Sequence, residues 1–109
     1  MKRFLPIVLV AFLATCCNTD VNISHMKTQD DGIMTFEVNN PTEKDIEIIN
    51  IGFRYTDSNG DLIRTDTLEY KMAEESEIKV FLKANDHTWV SRKPPEGAVE
   101  TEAFIVDYK

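Results

Sequence analysis

Apolar residues follow two different patterns along this chain. From Phe4 to Ala14 (FLPIVLVAFLA) they form one unbroken, uncharged run of eleven residues. Past residue 20 the pattern becomes alternation. Met34, Phe36 and Val38 are separated by Thr35 and Glu37, which predicts a strand with one buried face. Ile46 and Ile48 share one phase, and Ile49, Ile51, Phe53 and Tyr55 share the other. That slip predicts a bulge, or a strand crossing between sheets. Asp57-Ser58-Asn59-Gly60-Asp61 carries Asn-Gly at its tip and predicts a hairpin turn, with Leu62 to Tyr70 as the returning strand. Further strands are predicted at Val21–Met26, around Ile78, Val80 and Leu82, and at the end of the chain through Phe104, Val106 and Tyr108. Helical periodicity is weak in this part, and Lys71 to Glu77 predicts no more than a turn. Six or seven short strands in roughly ninety residues predict an all-β, two-sheet sandwich. A chain of 109 residues has room for one such core.

The leading run needs a different explanation. As a helix it would be about 16 Å long at ~1.5 Å per residue, against roughly 30 Å for a bilayer core. Met1-Lys2-Arg3 places positive charge before it, so the first 15 residues have the build of a secretory signal peptide. Leu13-Ala14-Thr15-Cys16 then resembles the lipobox of bacterial lipoproteins, with Thr15 where Gly, Ala or Ser is usual. The resemblance implies diacylglycerol transfer to the Cys16 thiol, cleavage just before it and acylation of the new amine. A cysteine suits that role because a thiolate is a strong nucleophile near neutral pH. Cleavage by the ordinary signal peptidase, giving a free secreted domain, is the alternative. Cys16 and Cys17 are the only cysteines, and adjacent residues bridge only with strained geometry, so no disulfide scaffold is expected.

Charge supports an anchor of lipid, not of basic residues. Formal charge is −7, and removing the first 15 residues takes away Lys2 and Arg3 but no acid, which leaves −9. Such a chain lacks the clustered cations needed for nucleic acid or for anionic lipid. Acyl chains at about 0.8 kcal/mol per buried CH₂ hold stably once there are two or more. The expected partition is a signal peptide over 1–15, a lipidated tether over 16–22 and a β-sandwich domain over 23–109. Cys17, standing where Asp would signal inner-membrane retention in enteric bacteria, points to the outer membrane in a host that has one.

Phe36-Glu37-Val38-Asn39-Asn40-Pro41-Thr42, then Ile51-Gly52-Phe53-Arg54-Tyr55-Thr56-Asp57 and Asn59-Gly60, resemble the FxLYD domain, a small immunoglobulin-like sandwich of bacterial lipoproteins and envelope proteins. Phe53 and Asp57 match its namesake stretch, while Tyr55 and Thr56 replace Leu and Tyr. Asn-Pro-Thr is also similar to the late-embryogenesis-abundant type 2 sandwich. The likeness covers about residues 33 to 83 and implies a fold, with no catalytic residues to carry over. The residues also make sense alone: Pro41 breaks a ladder, and Gly60 permits the positive φ of a turn.

Candidate chemistry is sparse. Asp57, Asn59 and Asp61 imitate the start of a calcium loop, but position 68 is Leu where such a loop ends in a bidentate Glu. His25, Met26, Met34 and His87 are the residue types of copper carriers. They supply the alternative of a periplasmic metal-binding carrier, although His87 is followed by Thr88-Trp89 and not by the His-x-Met spacing. Ser91, His87 and Asp86 lack a nucleophile elbow, so no enzyme and no cofactor are expected. The remaining oddity is Asp86 to Pro95, a loop segment holding the sole Trp and a basic pair. Exposed, Trp89 with Arg92 and Lys93 would make a protein-partner patch. Buried, Trp89 would plug one end of the sandwich, which the average burial of large aromatics favours. The expectation is a lipid-anchored envelope lipoprotein, a non-catalytic binding or structural module held by its N-terminal acyl chains. An immunity or accessory lipoprotein engaging a protein partner is a further alternative.

Overall fold

The computed structural model describes residues 20–109, so the leader and Cys16 lie outside the described residues. Six strands occur: β1 (Asn22–Thr28), β2 (Met34–Asn40), β3 (Ile48–Thr56), β4 (Leu62–Lys71), β5 (Asp86–Arg92) and β6 (Glu100–Tyr108). They form two antiparallel three-stranded sheets, ordered β1-β2-β5 and β4-β3-β6, which face each other as a sandwich. This order matches strands A-B-E and C′-C-F of an immunoglobulin-type sandwich.

The core lies between the two central strands. Period two sends Met34, Phe36 and Val38 of β2 inward from one sheet, and Ile49, Ile51, Phe53 and Tyr55 of β3 inward from the other. Phe36 meets Phe53 edge-on with ring centroids 5.8 Å apart, and Phe53 stacks on Tyr55 at 6.3 Å. Each such side chain contributes about 1.5–3 kcal/mol on burial. Val21 is also buried. The fold therefore starts earlier than the expected boundary at residue 23, and residues 21 and 22 are not tether. Next to Val21, the Asp20 carboxylate accepts hydrogen bonds from the Val21 N–H and the Tyr108 hydroxyl. These bonds hold Asp20 below the usual carboxylate range, and the Tyr108 phenol is raised by its bond to Asp20.

Between β2 and β3 the chain changes sheets around Asn40, the one buried polar residue among those described. Its amide donates to the carbonyls of Lys44 (2.8 Å) and Lys83 (3.0 Å), and its oxygen accepts from the Thr42 N–H (3.1 Å) and hydroxyl (2.6 Å). One side chain thus fastens both inter-strand loops at that end. In the β3–β4 turn, Asp57 Oδ1 accepts from the N–H groups of Asn59 and Asp61, and Gly60 takes φ 82°.

Four expectations need correction. No strand forms around residues 78–82: Leu82 makes a single bridge to Ile46, and Ile78 is 63% exposed. Phe81 packs toward Tyr70 while its neighbour Leu82 is buried, so consecutive residues turn inward and alternation fails. The phase slip at Ile48-Ile49 is no bulge. Ile46 belongs to that isolated bridge, and β3 then starts in register, with Ile48 opposite Lys71 and Ile49 opposite Tyr70. In β6 the inward residues are Ala103 and Ile105, while Phe104 lies across Gly52 on the outer face and Val106 is exposed. Finally, residues 86–92 are a strand and not a loop.

Candidate functional site

The most distinctive surface is the outward face of the β1-β2-β5 sheet. Since the even-numbered residues of β2 fill the core, Thr35, Glu37 and Asn39 point away from it. Register then sets Ser91, Trp89 and His87 of β5 opposite those three, and Ser24 and Asn22 of β1 opposite Glu37 and Asn39. In β1 the register shifts between Ser24 and Lys27, so His25 and Met26 together oppose Phe36. This is a β-bulge, and His25 adopts φ 54°, the left-handed region uncommon for residues other than glycine.

The bulge brings His25 over the sheet. Its Nδ1 lies 3.1 Å from Glu37 Oε1, and its ring centroid is 6.2 Å from that of Trp89. His87 Nε2 approaches the other carboxylate oxygen at 3.5 Å, and the Ser24 hydroxyl donates to Oε1 at 3.3 Å. Glu37 is consequently mostly covered, with its side chain 13% exposed between two exposed imidazoles. Asn39 donates to Asn22 Oδ1 and Ser24 Oγ, extending the polar network along the face. Beside this network runs a trough of about 470 Å³ lined by His25, Met26, Lys27, Gln29, Thr35 and Trp89.

Trp89 does not plug the sandwich. It is 58% exposed, because position 89 has the parity of the outer face while Thr88 and Val90 take the inner one. The same parity separates the expected partner residues. Arg92, three places on, turns inward, where Nε donates to the Tyr55 hydroxyl (2.8 Å) and Nη2 to Asp66 Oδ2 (2.8 Å). Its guanidinium also lies 5.7 Å from the Phe53 ring centroid. Burial pushes the Asp66 carboxyl upward, but the hydrogen bond from Arg92 and the charge of Arg64 outweigh it, and the net shift is downward. Arg92, raised chiefly by its bond to Tyr55, is therefore a tie between sheets and not part of a docking patch. Lys93 is exposed but lines a different depression, with Thr28, Pro94 and Pro95.

The other candidates are also placed. Met34 is core, and Asp57 is occupied by its own turn. Ser91 faces Thr35, while Asp86 accepts from the His87 backbone N–H. Among the described residues no group of three or more His, Cys, Asp or Glu is arranged to hold a metal ion. Glu37 and the His25 bulge had no signal in the sequence beyond the polar phase of two strands. The chain matches no family model, no curated protein and no solved structure.

Proposed function

We propose that this chain is a lipid-anchored module of a bacterial cell envelope, joined to the membrane through Cys16, and that it works by binding and not by catalysis. The observation that carries the anchor is the junction itself: a positive n-region, an apolar run too short to span, and Leu-Ala-Thr-Cys at its end. The outer face of the β1-β2-β5 sheet, with an exposed indole among hydrogen-bonding side chains, is equipped for recognition.

Intact-mass analysis of the protein expressed in a bacterial host, with fractionation of its membranes, tests the anchor. The expected product begins at Cys16, carries the mass of a diacylglycerol with or without a further acyl chain, and sediments with membranes. Cys16→Ala is expected to abolish the added mass. A product starting elsewhere, or free of lipid mass, overturns the proposal.

A further inference from the structure

We infer that the trough beside Trp89 is a saccharide subsite, in which one sugar ring of a glycan lies on the indole and its hydroxyls reach the polar residues of β1 and β2. This rests on the outer face being the binding surface.

Trp89 is a large, rigid, exposed ring midway along β5, an edge strand of its sheet, and Met26 is the only other apolar side chain lining the trough. A protein hot spot needs a desolvated apolar centre shielded by surrounding contacts, and this face is too polar to supply one. A sugar ring has the matching duality: C–H groups on one face to meet a π-surface, and hydroxyls around its rim. The trough offers those hydroxyls the Thr35 hydroxyl, the Gln29 amide (already oriented by a 3.2 Å bond to Thr35) and the His25 imidazole. Lys27 is its one permanently charged lining residue, in a chain of net charge −7. That local charge disfavours a cationic ligand and accepts neutral or acidic sugars.

Two further features mark the site as built. His25 occupies an unfavourable backbone region to stand beside Trp89, and strained residues and bulges concentrate where a side chain must be re-aimed. Glu37 fixes that ring by accepting at its Nδ1, while itself bracketed by His87 and Ser24.

The sole tryptophan doubles as the reporter. The purified mature chain, in detergent, is presented with a panel of immobilised neutral glucans, galactans and mannans and of acidic oligouronates. Retained sugars are then titrated in solution against Trp89 emission. Binding with quenching or a blue shift is expected, and acidic against neutral members reveal whether Lys27 contributes. Trp89→Ala is expected to weaken binding about tenfold or more. Trp89→Phe should recover part of it, and Phe104→Ala, on the opposite face, should leave it unchanged. Unaltered circular dichroism of Trp89→Ala separates lost binding from lost fold. No retention by any member overturns the inference, as does retention indifferent to Trp89→Ala, or Trp89-dependent binding confined to a protein or to vesicles. Lipid mass on Cys16 without sugar binding would sink this inference alone and leave the anchor standing.

Discussion

Asn40→Ala removes four hydrogen bonds at one buried point. A net value of about 1 kcal/mol per bond gives roughly 4 kcal/mol. Lys44 and Lys83 are exposed residues, so water recovers some of their carbonyls' bonding, and the expected loss is about 2–3 kcal/mol. A domain of this size loses about 4–8 °C for each kcal/mol, so the melting temperature should fall by roughly 10–20 °C. Urea denaturation followed by far-ultraviolet circular dichroism is the suitable assay, since Trp89 is exposed and a poor reporter of burial. Asn40→Asp makes the test sharper. It keeps the shape but sets a carboxylate oxygen where the amide now meets two carbonyl oxygens at 2.8 and 3.0 Å. That repulsion and burial raise the folded pKa of the new carboxyl above its unfolded value. Its stability is therefore retained below the unfolded pKa and lost as pH rises through the folded one. Asn40→Asp should be the less stable of the two variants at pH 7 and should regain ground on acidification. A loss under about 1 kcal/mol for Asn40→Ala, or a native-like Asn40→Asp at pH 7, would refute the role assigned to this side chain.

The cross-sheet tie gives a pH prediction of opposite sign. Asp66 has its folded pKa depressed, so the tie stabilises above the unfolded value and fails as pH falls through the folded one, below about pH 4. Asp66→Asn should flatten that acid limb in a plot of melting temperature against pH; an unchanged limb would assign acid loss to other carboxyls. At Gly52, an added Cβ would collide with the tip of the Phe104 ring, which also lies under Arg54 at 5.5 Å. Gly52→Ala should cost about 1 kcal/mol with Phe104 present and almost nothing in a Phe104→Ala background, because neighbours in contact couple. Additive effects in that cycle would show that the ring yields freely.

Strands whose inner face carries large side chains were legible in the sequence: β2 through Met34, Phe36 and Val38, β3 through Ile49 to Tyr55, and the turn at Gly60. Legibility failed where apolar content and geometry part company. Ile78, Val80 and Leu82 alternate correctly, yet they meet no partner strand beyond the bridge at Ile46, and alternation without a ladder is not a strand. In β5 the largest side chain faces solvent, so its pattern looks inverted and the segment passes for a loop. The candidate site depends on the same strand. Trp89 and Arg92 are near in sequence but fall on opposite faces, and that separation follows only once residues 86–92 are known to be extended. His25 at a bulge was beyond reach, since a two-for-one register shift depends on the partner strand.

The bond between Asp20 and Tyr108 brings both extremities of the described chain to one pole, where Lys109 also exchanges backbone bonds with Ile48. Anything fused beyond Lys109 would emerge at the same pole as Asp20, against the first residues of the described fold. A tag or cargo meant to stand clear of that pole belongs in the turns at 29–33 or 57–61, at the far pole.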